Sequence, residues 1–218
     1  EPLQRALLVH DGEVEQLVLQ VRYAGDAGQF AWIVPLPARP EVALVAEDLF
    51  GEIENCLYRR DLDRFRRAAD DASFEKSEGG AGVVRPAVEV HERRKVGPYD
   101  IAVLSCEQDE KALVDWLKAN GYHVPAEAAV VFRHYVECKS FFAAMRLDPG
   151  KDGIEAGTRL AEGTIEPVRF RFATPEPYYP MHVSSLNPGE TELHLYLFSR
   201  TEGTPLQALP FVDDYESG

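Results

Sequence analysis

Residues 4–23 read QRALLVHDGEVEQLVLQVRY, and this stretch decides the fold because an apolar run is followed, after a turn signal, by Leu17, Leu19, Val21 and Tyr23 at every second position. The dipeptide Asp11-Gly12 interrupts the pattern where a tight turn is expected. Side chains alternate between the two faces of a strand, so a period of two predicts two antiparallel strands with one buried face. The chain therefore opens with a predicted β-hairpin.

A third apolar stretch follows the hairpin, FAWIVPLPARP at residues 30–40. It predicts a strand, antiparallel to the second strand of the hairpin, in which Phe30, Trp32 and Val34 share one face. Proline has no amide hydrogen to donate, so Pro35 is expected where strand pairing ends or at a sheet edge. A polyproline segment that binds a partner would have to be exposed. This strand is too apolar to be left in water, which argues against a role as a polyproline ligand.

The sequence predicts two parts joined by a glycine-containing connection. Residues 1–76 hold the hairpin, the third strand and a region from Glu47 in which apolar residues recur at helical spacing. Residues 77–86 are polar and rich in glycine, which predicts a mobile connection. Residues 87–218 hold a second hairpin, two helices and a four-strand region, and the two halves are expected to form one compact unit.

Turn signals and apolar spacing organise the second half. A hairpin turns at Gly97-Pro98, and the next helix ends at Asn120-Gly121, where glycine favours a left-handed cap. Pro125 opens the second helix. Four strands are predicted last, from the stretches FFAAMRLD, VRFRFAT, MHVSSL and ELHLYLFS. The fold class is therefore α+β, with mainly antiparallel strands in hairpins and helices packed against a sheet face.

Composition and charge exclude several classes of function. With 218 residues, 45% of them hydrophobic, the chain is long enough to bury a core of its own. The 37 acidic residues against 23 basic ones give a formal net charge of -14, which repels phosphate backbones and anionic lipid headgroups. Nucleic acid is therefore not an expected partner. No apolar run reaches the roughly 18–20 residues of a membrane span, so this segment is not expected to insert into a membrane.

Three blocks of sequence carry a family resemblance: LVLQVRYAGDAGQFAWIVPLPARPEV, then VGPYDIAVLS with LVDWLKANGYHVP, then IEPVRFRF with YYPMHVSSLN. In this order they resemble an uncharacterised bacterial family, a domain of unknown function (family twenty-three thirty), over most of the chain. The resemblance implies an extracytoplasmic protein, anchored through a signal and a membrane helix outside this chain. It implies no catalytic residues.

His134 and Glu137 are the candidate metal ligands, because a spacing of three on a helix can turn an imidazole and a carboxylate toward one ion. Two ligands do not complete a metal site, and no second pair of this kind occurs. A polar helix surface is therefore expected, with no metal and no cofactor. His91 and Glu92 are adjacent on a strand and point to opposite faces, so they are not expected to share a ligand.

The candidate nucleophiles lack the usual local sequence. There is no GxSxG motif, and Ser184-Ser185 has no flanking glycines. Cys106 ends a strand just before a helix, where amide dipoles favour a thiolate, although a cysteine in this position is also a common buried core residue. Cys106 and Cys138 flank the same helical segment and are the predicted disulfide pair if one forms, which leaves Cys56 unpaired.

Two functions of different classes fit these observations. The first is a non-enzymatic extracytoplasmic scaffold or protein-binding domain, whose partner would be another extracytoplasmic or membrane protein. The second is a hydrolase or metal-dependent enzyme whose polar groups meet only in the fold. The first predicts that no deep pocket is lined by converging ionisable groups, whereas the second requires such a pocket. The scattered polar residues of the sequence favour the first function.

The dispersed histidines and unpaired cysteines predict that the protein binds no transition metal tightly. Elemental analysis of protein purified without an affinity tag is expected to find no stoichiometric zinc, iron or copper. One equivalent of any of these metals per chain would contradict the prediction.

Overall fold

The computed structural model describes residues 3–22, 30–59, 87–107, 109–125, 127–147, 165–186 and 192–199. The strands in these ranges are β1 (Leu3–His10), β2 (Val14–Val21), β3 (Ala31–Leu36), β4 (Glu41–Leu44), β5 (Val88–Val96), β6 (Tyr99–Cys106), β7 (Phe141–Leu147), β8 (Val168–Ala173) and β9 (Glu192–Ser199). The helices are α1 (Leu49–Arg59), α2 (Glu110–Ala119), α3 (Ala128–Glu137) and a 3₁₀ helix at Met181–Leu186.

The strands form two sheets. The first sheet has the strand order β4-β8-β2-β1-β9, and the second has the order β3-β7-β6-β5. β1 and β9 are parallel, and the other neighbouring pairs are antiparallel. Each sheet combines strands from residues 1–76 with strands from residues 87–218. The predicted α+β class with mainly antiparallel strands is confirmed.

The two sheets pack face to face and form the central core. Leu8, Leu17 and Phe170 of the first sheet belong to the same buried cluster as Val34 and Met145 of the second. Each of these side chains is at most 4% exposed. Burying a side chain of this size stabilises the fold by about 1.5–3 kcal/mol, so the contact between the sheets is a large part of the stability.

Helices cover the outer face of each sheet. Phe50 and Ile53 of α1 pack on Leu7 and Val18 of the first hairpin. The helices α2 and α3 cover the second sheet in the same way, through a cluster that includes Leu104, Leu113, Leu117, Phe132 and Phe142. The prediction that only one face of the first hairpin is buried is therefore wrong, because α1 covers the other face.

Both predicted hairpins are confirmed. In the first turn the Asp11 carboxylate accepts a hydrogen bond from the amide of Val14 at 2.8 Å, and Gly12 has a φ of 108°. In the second, Gly97 has a φ of 55° between β5 and β6. Residues that carry a side chain rarely adopt a positive φ, so glycine at both positions suits the tight turns.

The helix predictions agree with the structure in type and differ slightly in their ends. The side chain of Asp109 caps α2 by accepting the amide of Ala112 at 2.7 Å, and Gly121 follows the helix with the predicted left-handed φ, 81°. α3 begins at Ala128, three residues after Pro125. The connection at residues 77–86, and any helix after Arg59, lie outside the described residues.

Two strand predictions are wrong. β3 pairs with β7 in the second sheet and not with β2, so that Trp32 is opposite Met145. The reason is that both faces of β3 are apolar, and the second sheet offers the central core on one side and the helices on the other. The stretch MHVSSL forms a 3₁₀ helix, in which the Ser185 hydroxyl donates to the carbonyl of His182 at 2.7 Å. Such local side-chain bonds compete with strand pairing.

The face assignment of β3 is confirmed. Phe30 and Val34 are buried in the central core with Trp32 packed against them, while Ile33 lies in the cluster that faces the helices. β3 is an outer strand of its sheet and ends at Leu36, so the prolines of this stretch lie at a sheet edge or beyond it, as predicted.

A buried carboxyl group on β2 holds the segment after β8 against the first sheet. Glu15 is fully buried, and its Oε2 accepts a hydrogen bond from the amide of Tyr178 at 2.6 Å. Its Oε1 has no hydrogen-bond partner in the described part of the chain. The cross-strand neighbour His10 donates from Nε2 to the carbonyl of Thr174 at 3.0 Å. Burial raises the pKa of Glu15 to about 8, and the bond from Tyr178 opposes this shift.

Trp32→Ala is expected to lower the free energy of unfolding by about 3 kcal/mol, the low end for a large aromatic residue, because the indole is only half-buried. Arg39→Ala is the matched control on the same segment, and because Arg39 is exposed the expected change is no more than about 0.5 kcal/mol. Urea unfolding measures both. An unfolding midpoint that does not respond to the tryptophan substitution would remove Trp32 from the core.

Glu15→Gln is expected to flatten the pH dependence of stability. The folded protein keeps a proton on Glu15 up to about pH 8, whereas the unfolded chain releases it near 4.5. The stabilisation is therefore complete below the lower pKa and is lost as the pH rises through the higher one. Urea unfolding between about pH 4 and about pH 9 should show wild type losing more stability than the variant. Exposed Glu13→Gln is the control, and parallel profiles for wild type and Glu15→Gln would contradict the assignment.

Candidate functional site

The second hairpin brings the polar side chains of Glu89, His91 and Ser105 together at one end of the second sheet. Ser105, near the end of β6, is directly opposite Glu89 on β5 and Phe141 on β7. Residues opposite one another share a face, and alternation places Ser105 on the same face as Val103, which belongs to the central core. The site therefore lies at the rim of the contact between the two sheets.

A β-bulge in β5 shapes this end of the hairpin. The pairing steps from Val90 opposite Leu104 to Glu92 opposite Val103, so His91 is the extra residue. A bulge bends the strand and turns side chains in new directions, which is why bulges are frequent beside functional sites. Here the bulge falls on the residue that bonds to the serine.

The contacts of His91 have the form of a base beside a nucleophile. Its Nε2 is 2.7 Å from the Oγ of Ser105, and its Nδ1 is 3.8 Å from a carboxylate oxygen of Glu89. That carboxylate favours a proton on Nδ1, which leaves Nε2 to accept the hydroxyl hydrogen. The imidazole packs against Phe141, with ring centroids 5.2 Å apart, and Arg39 donates to the backbone carbonyl of His91 at 3.3 Å. Ring and backbone are thus both held in place.

These side chains line an open pocket of about 250 Å³. Its walls are formed by Glu89, His91, Ser105, Cys106, Glu107, Lys139 and Phe141. Pockets that enclose small ligands usually measure about 300–1,000 Å³, so this one is smaller. The His91 side chain is 17% exposed and that of Glu89 is 41% exposed. The pocket can therefore be reached by a group on the surface of a larger molecule.

The cysteines of the predicted disulfide lie in different surroundings. Cys106 is buried, and its thiol donates to the carbonyl of Asp109 at 3.2 Å. Cys138 is exposed, with its sulfur 3.9 Å from the Nε2 of His134. Both thiols are free, as is that of Cys56. The pairing under oxidising conditions stays a prediction.

The candidate metal ligands His134 and Glu137 are both exposed on α3. The ring of His134 lies 6.5 Å from that of His182 and packs edge-on against Tyr135, whose pKa burial raises to about 12. Within the described ranges, no three His, Cys, Asp or Glu side chains are arranged to hold a metal ion. The two residues lie on a polar helix surface, and the absence of bound metal stays a prediction.

Sequence reasoning missed the pairing of Ser105 with Glu89. Counting back from the two-residue turn places Ser105 opposite Val90, and only the bulge moves Glu89 into that position. An unbroken register is the default when only the turn is known. Lys139, which also lines the pocket, belongs to no recognisable sequence motif. The sequence offers no local signal for this site.

Among solved structures, the baculovirus protein P35 shows a distant likeness. Its crystal structure matches with 11% identity and a TM-score of 0.39, over 79% of this chain and 55% of that chain. A mutated P35 after caspase cleavage and the caspase-8/P35 complex each match with 11% identity and a TM-score of 0.36, over 79% of this chain and 55% and 53% of theirs. This chain thus spans about half the length of those it matches, and so weak a likeness supports no functional conclusion.

No curated protein matches the sequence. In the described residues, no helix is both long enough and apolar enough to cross a membrane. A family model described as "Uncharacterized protein conserved in bacteria (DUF2330)" matches residues 3–208, which is nearly the whole chain. The family resemblance carried by the three sequence blocks is therefore confirmed, and the chain belongs to the bacterial family DUF2330.

Proposed function

We propose that this domain hydrolyses an acyl bond, an ester or an amide, with Ser105 as the nucleophile. The observation that carries the proposal is the 2.7 Å contact between Ser105 Oγ and His91 Nε2 on the wall of an open pocket. Glu89 supplies the third group, a carboxylate near the other ring nitrogen. A nucleophile, a base and a group that orients the base are the recurring parts of serine hydrolases on unrelated folds.

The proposed reaction proceeds in two stages. The Ser105 oxygen attacks the carbonyl carbon while its proton passes to Nε2 of His91. The bond to the leaving group then breaks, and His91 gives its proton to that group, which leaves an ester on the serine. Water attacks this ester with His91 again as base, so that the acid is released and Ser105 regains its proton. The carboxylate of Glu89 favours the imidazolium that forms in each stage.

The location and partner of this activity are also proposals. Family members resemble exported proteins, which supports a site of action outside the cytoplasm and anchoring through other segments. The formal net charge of -14 argues against nucleic acid as a substrate. A small open pocket admits a bond on the surface of a larger molecule more readily than it encloses a metabolite. We therefore propose an extracytoplasmic protein or peptide as the substrate.

A non-enzymatic protein-binding domain or scaffold is the second candidate. Its support is the exposure of apolar side chains on adjacent elements, Val130 on α3 at 53% and Met181 on the neighbouring 3₁₀ helix at 45%. Leu195 on the outer strand β9 is also 43% exposed. Apolar side chains left in water at a helix surface and at a sheet edge are common where partners bind.

A fluorophosphonate probe is expected to label wild-type protein at Ser105, because this reagent reacts with serines that have an adjacent base. Ser105→Ala should abolish the label, and His91→Gln should slow it about 10²-fold or more, since glutamine cannot accept the proton. Intact mass and peptide mapping measure the label, and thermal unfolding confirms that each variant is folded. Ser185→Ala, a change of an exposed serine on the 3₁₀ helix, should label as wild type does.

The two candidate functions give different results in this experiment. Wild-type protein that stays unlabelled at Ser105, or that is labelled equally in the His91 variant, would reject the hydrolase. The non-enzymatic domain would then be the better account of the exposed apolar side chains.

A further inference from the structure

The backbone of Lys139 is in a left-handed conformation that residues other than glycine rarely adopt. Its φ is 57°, and it is the first residue after the cap of α3. Its amide donates to the carbonyl of Val136 at 2.9 Å, and the amide of Ser140 donates to the carbonyl of Tyr135 at 2.9 Å. This pair of bonds is the Schellman motif, which normally has glycine at the position of Lys139.

A lysine at this position is a local cost to stability. The other described residues with positive φ are Gly12, Gly97 and Gly121, so the rest of the described chain follows the glycine rule. Strain of this kind is concentrated at functional sites, where the side chain has a role that glycine cannot fill. The strained residue here is on the wall of the pocket that also contains Ser105 and His91.

The charges around the pocket limit what Lys139 can do. Two carboxylates, Glu89 and Glu107, line the same walls, so a ligand that arrives with a negative charge is disfavoured. A neutral acyl group does not meet this repulsion when it binds. Its carbonyl oxygen becomes negative only after the serine attacks, and a positive charge placed beside that oxygen would then stabilise it.

We propose that Lys139 supplies the positive charge that stabilises the oxyanion formed when Ser105 attacks a neutral acyl group. This inference rests on the proposed hydrolase and adds the group that the Ser105, His91 and Glu89 arrangement lacks. It also names the substrate class, an ester or amide that carries no negative charge beside the bond that breaks. The left-handed backbone at Lys139 is the structural cost of placing an ammonium at this wall.

Three substitutions separate the charge from the backbone strain. Lys139→Met removes the charge and keeps a side chain in the strained conformation, Lys139→Gly removes both, and Lys139→Arg keeps the charge. The rate of fluorophosphonate labelling should fall about 10²-fold in the Met and Gly variants, because the phosphonyl oxygen also gains charge during the attack. The Arg variant should fall by no more than about tenfold. With p-nitrophenyl acetate, kcat should fall in the Met variant while KM stays the same.

Thermal unfolding provides a readout that is independent of activity. Lys139→Gly should raise the unfolding midpoint by about 2–4 °C by relieving the left-handed strain, and Lys139→Met should not. A Met variant labelled at the wild-type rate, while Ser105→Ala abolishes labelling, would overturn the role of Lys139 and leave the hydrolase standing. Absence of label in wild type would instead reject the hydrolase itself, and the role of Lys139 with it.

Discussion

The contact between the two sheets is the constraint on which the rest of this structure depends. Each sheet has two apolar faces, and a domain of this size can keep both out of water only by stacking layers. The inner faces cover one another through residues such as Leu17, Phe170 and Met145, and the helices cover the outer faces. The position of β3 follows from this, since a short strand with two apolar faces needs a packing layer against each face. The same layers bury the carboxyl group of Glu15, and this burial raises its pKa to about 8.

The candidate site lies where this packing ends. Beyond Val103 the face of β6 that meets the other sheet continues with Ser105, so the change from core to pocket occurs within two residues of one strand. Phe141 connects the two regions, because it packs against the central core and also against the ring of His91. A rigid sheet on one side and solvent on the other is a setting in which polar groups can be both well positioned and accessible. The bulge at His91 turns a regular hairpin into such a site.

A histidine bonded to a serine across a hairpin can also serve as a simple structural link, since each group satisfies the other. Two features of the same pocket favour chemistry. One is the carboxylate of Glu89 beside the second ring nitrogen, and the other is Lys139, held in a conformation that costs stability. A structural link would need neither of them. The exposed apolar residues near the 3₁₀ helix belong to another part of the surface, so a binding function there would be compatible with a reaction at Ser105.

The sequence by itself determined the elements whose signals are local. The turns at Gly12 and Gly97, and the cap at Gly121, follow from the freedom of glycine to adopt positive φ. For most elements the strand or helix type follows from apolar spacing, because alternation depends only on neighbours in the chain, and MHVSSL, which forms a 3₁₀ helix, is the exception. Only the tertiary structure decided the partner of β3 and the covering of the second face of β2, since these depend on contacts between distant segments. It also decided the site, because a single extra residue in β5 changes every cross-strand pair beyond it, and so places Glu89 rather than Val90 opposite Ser105.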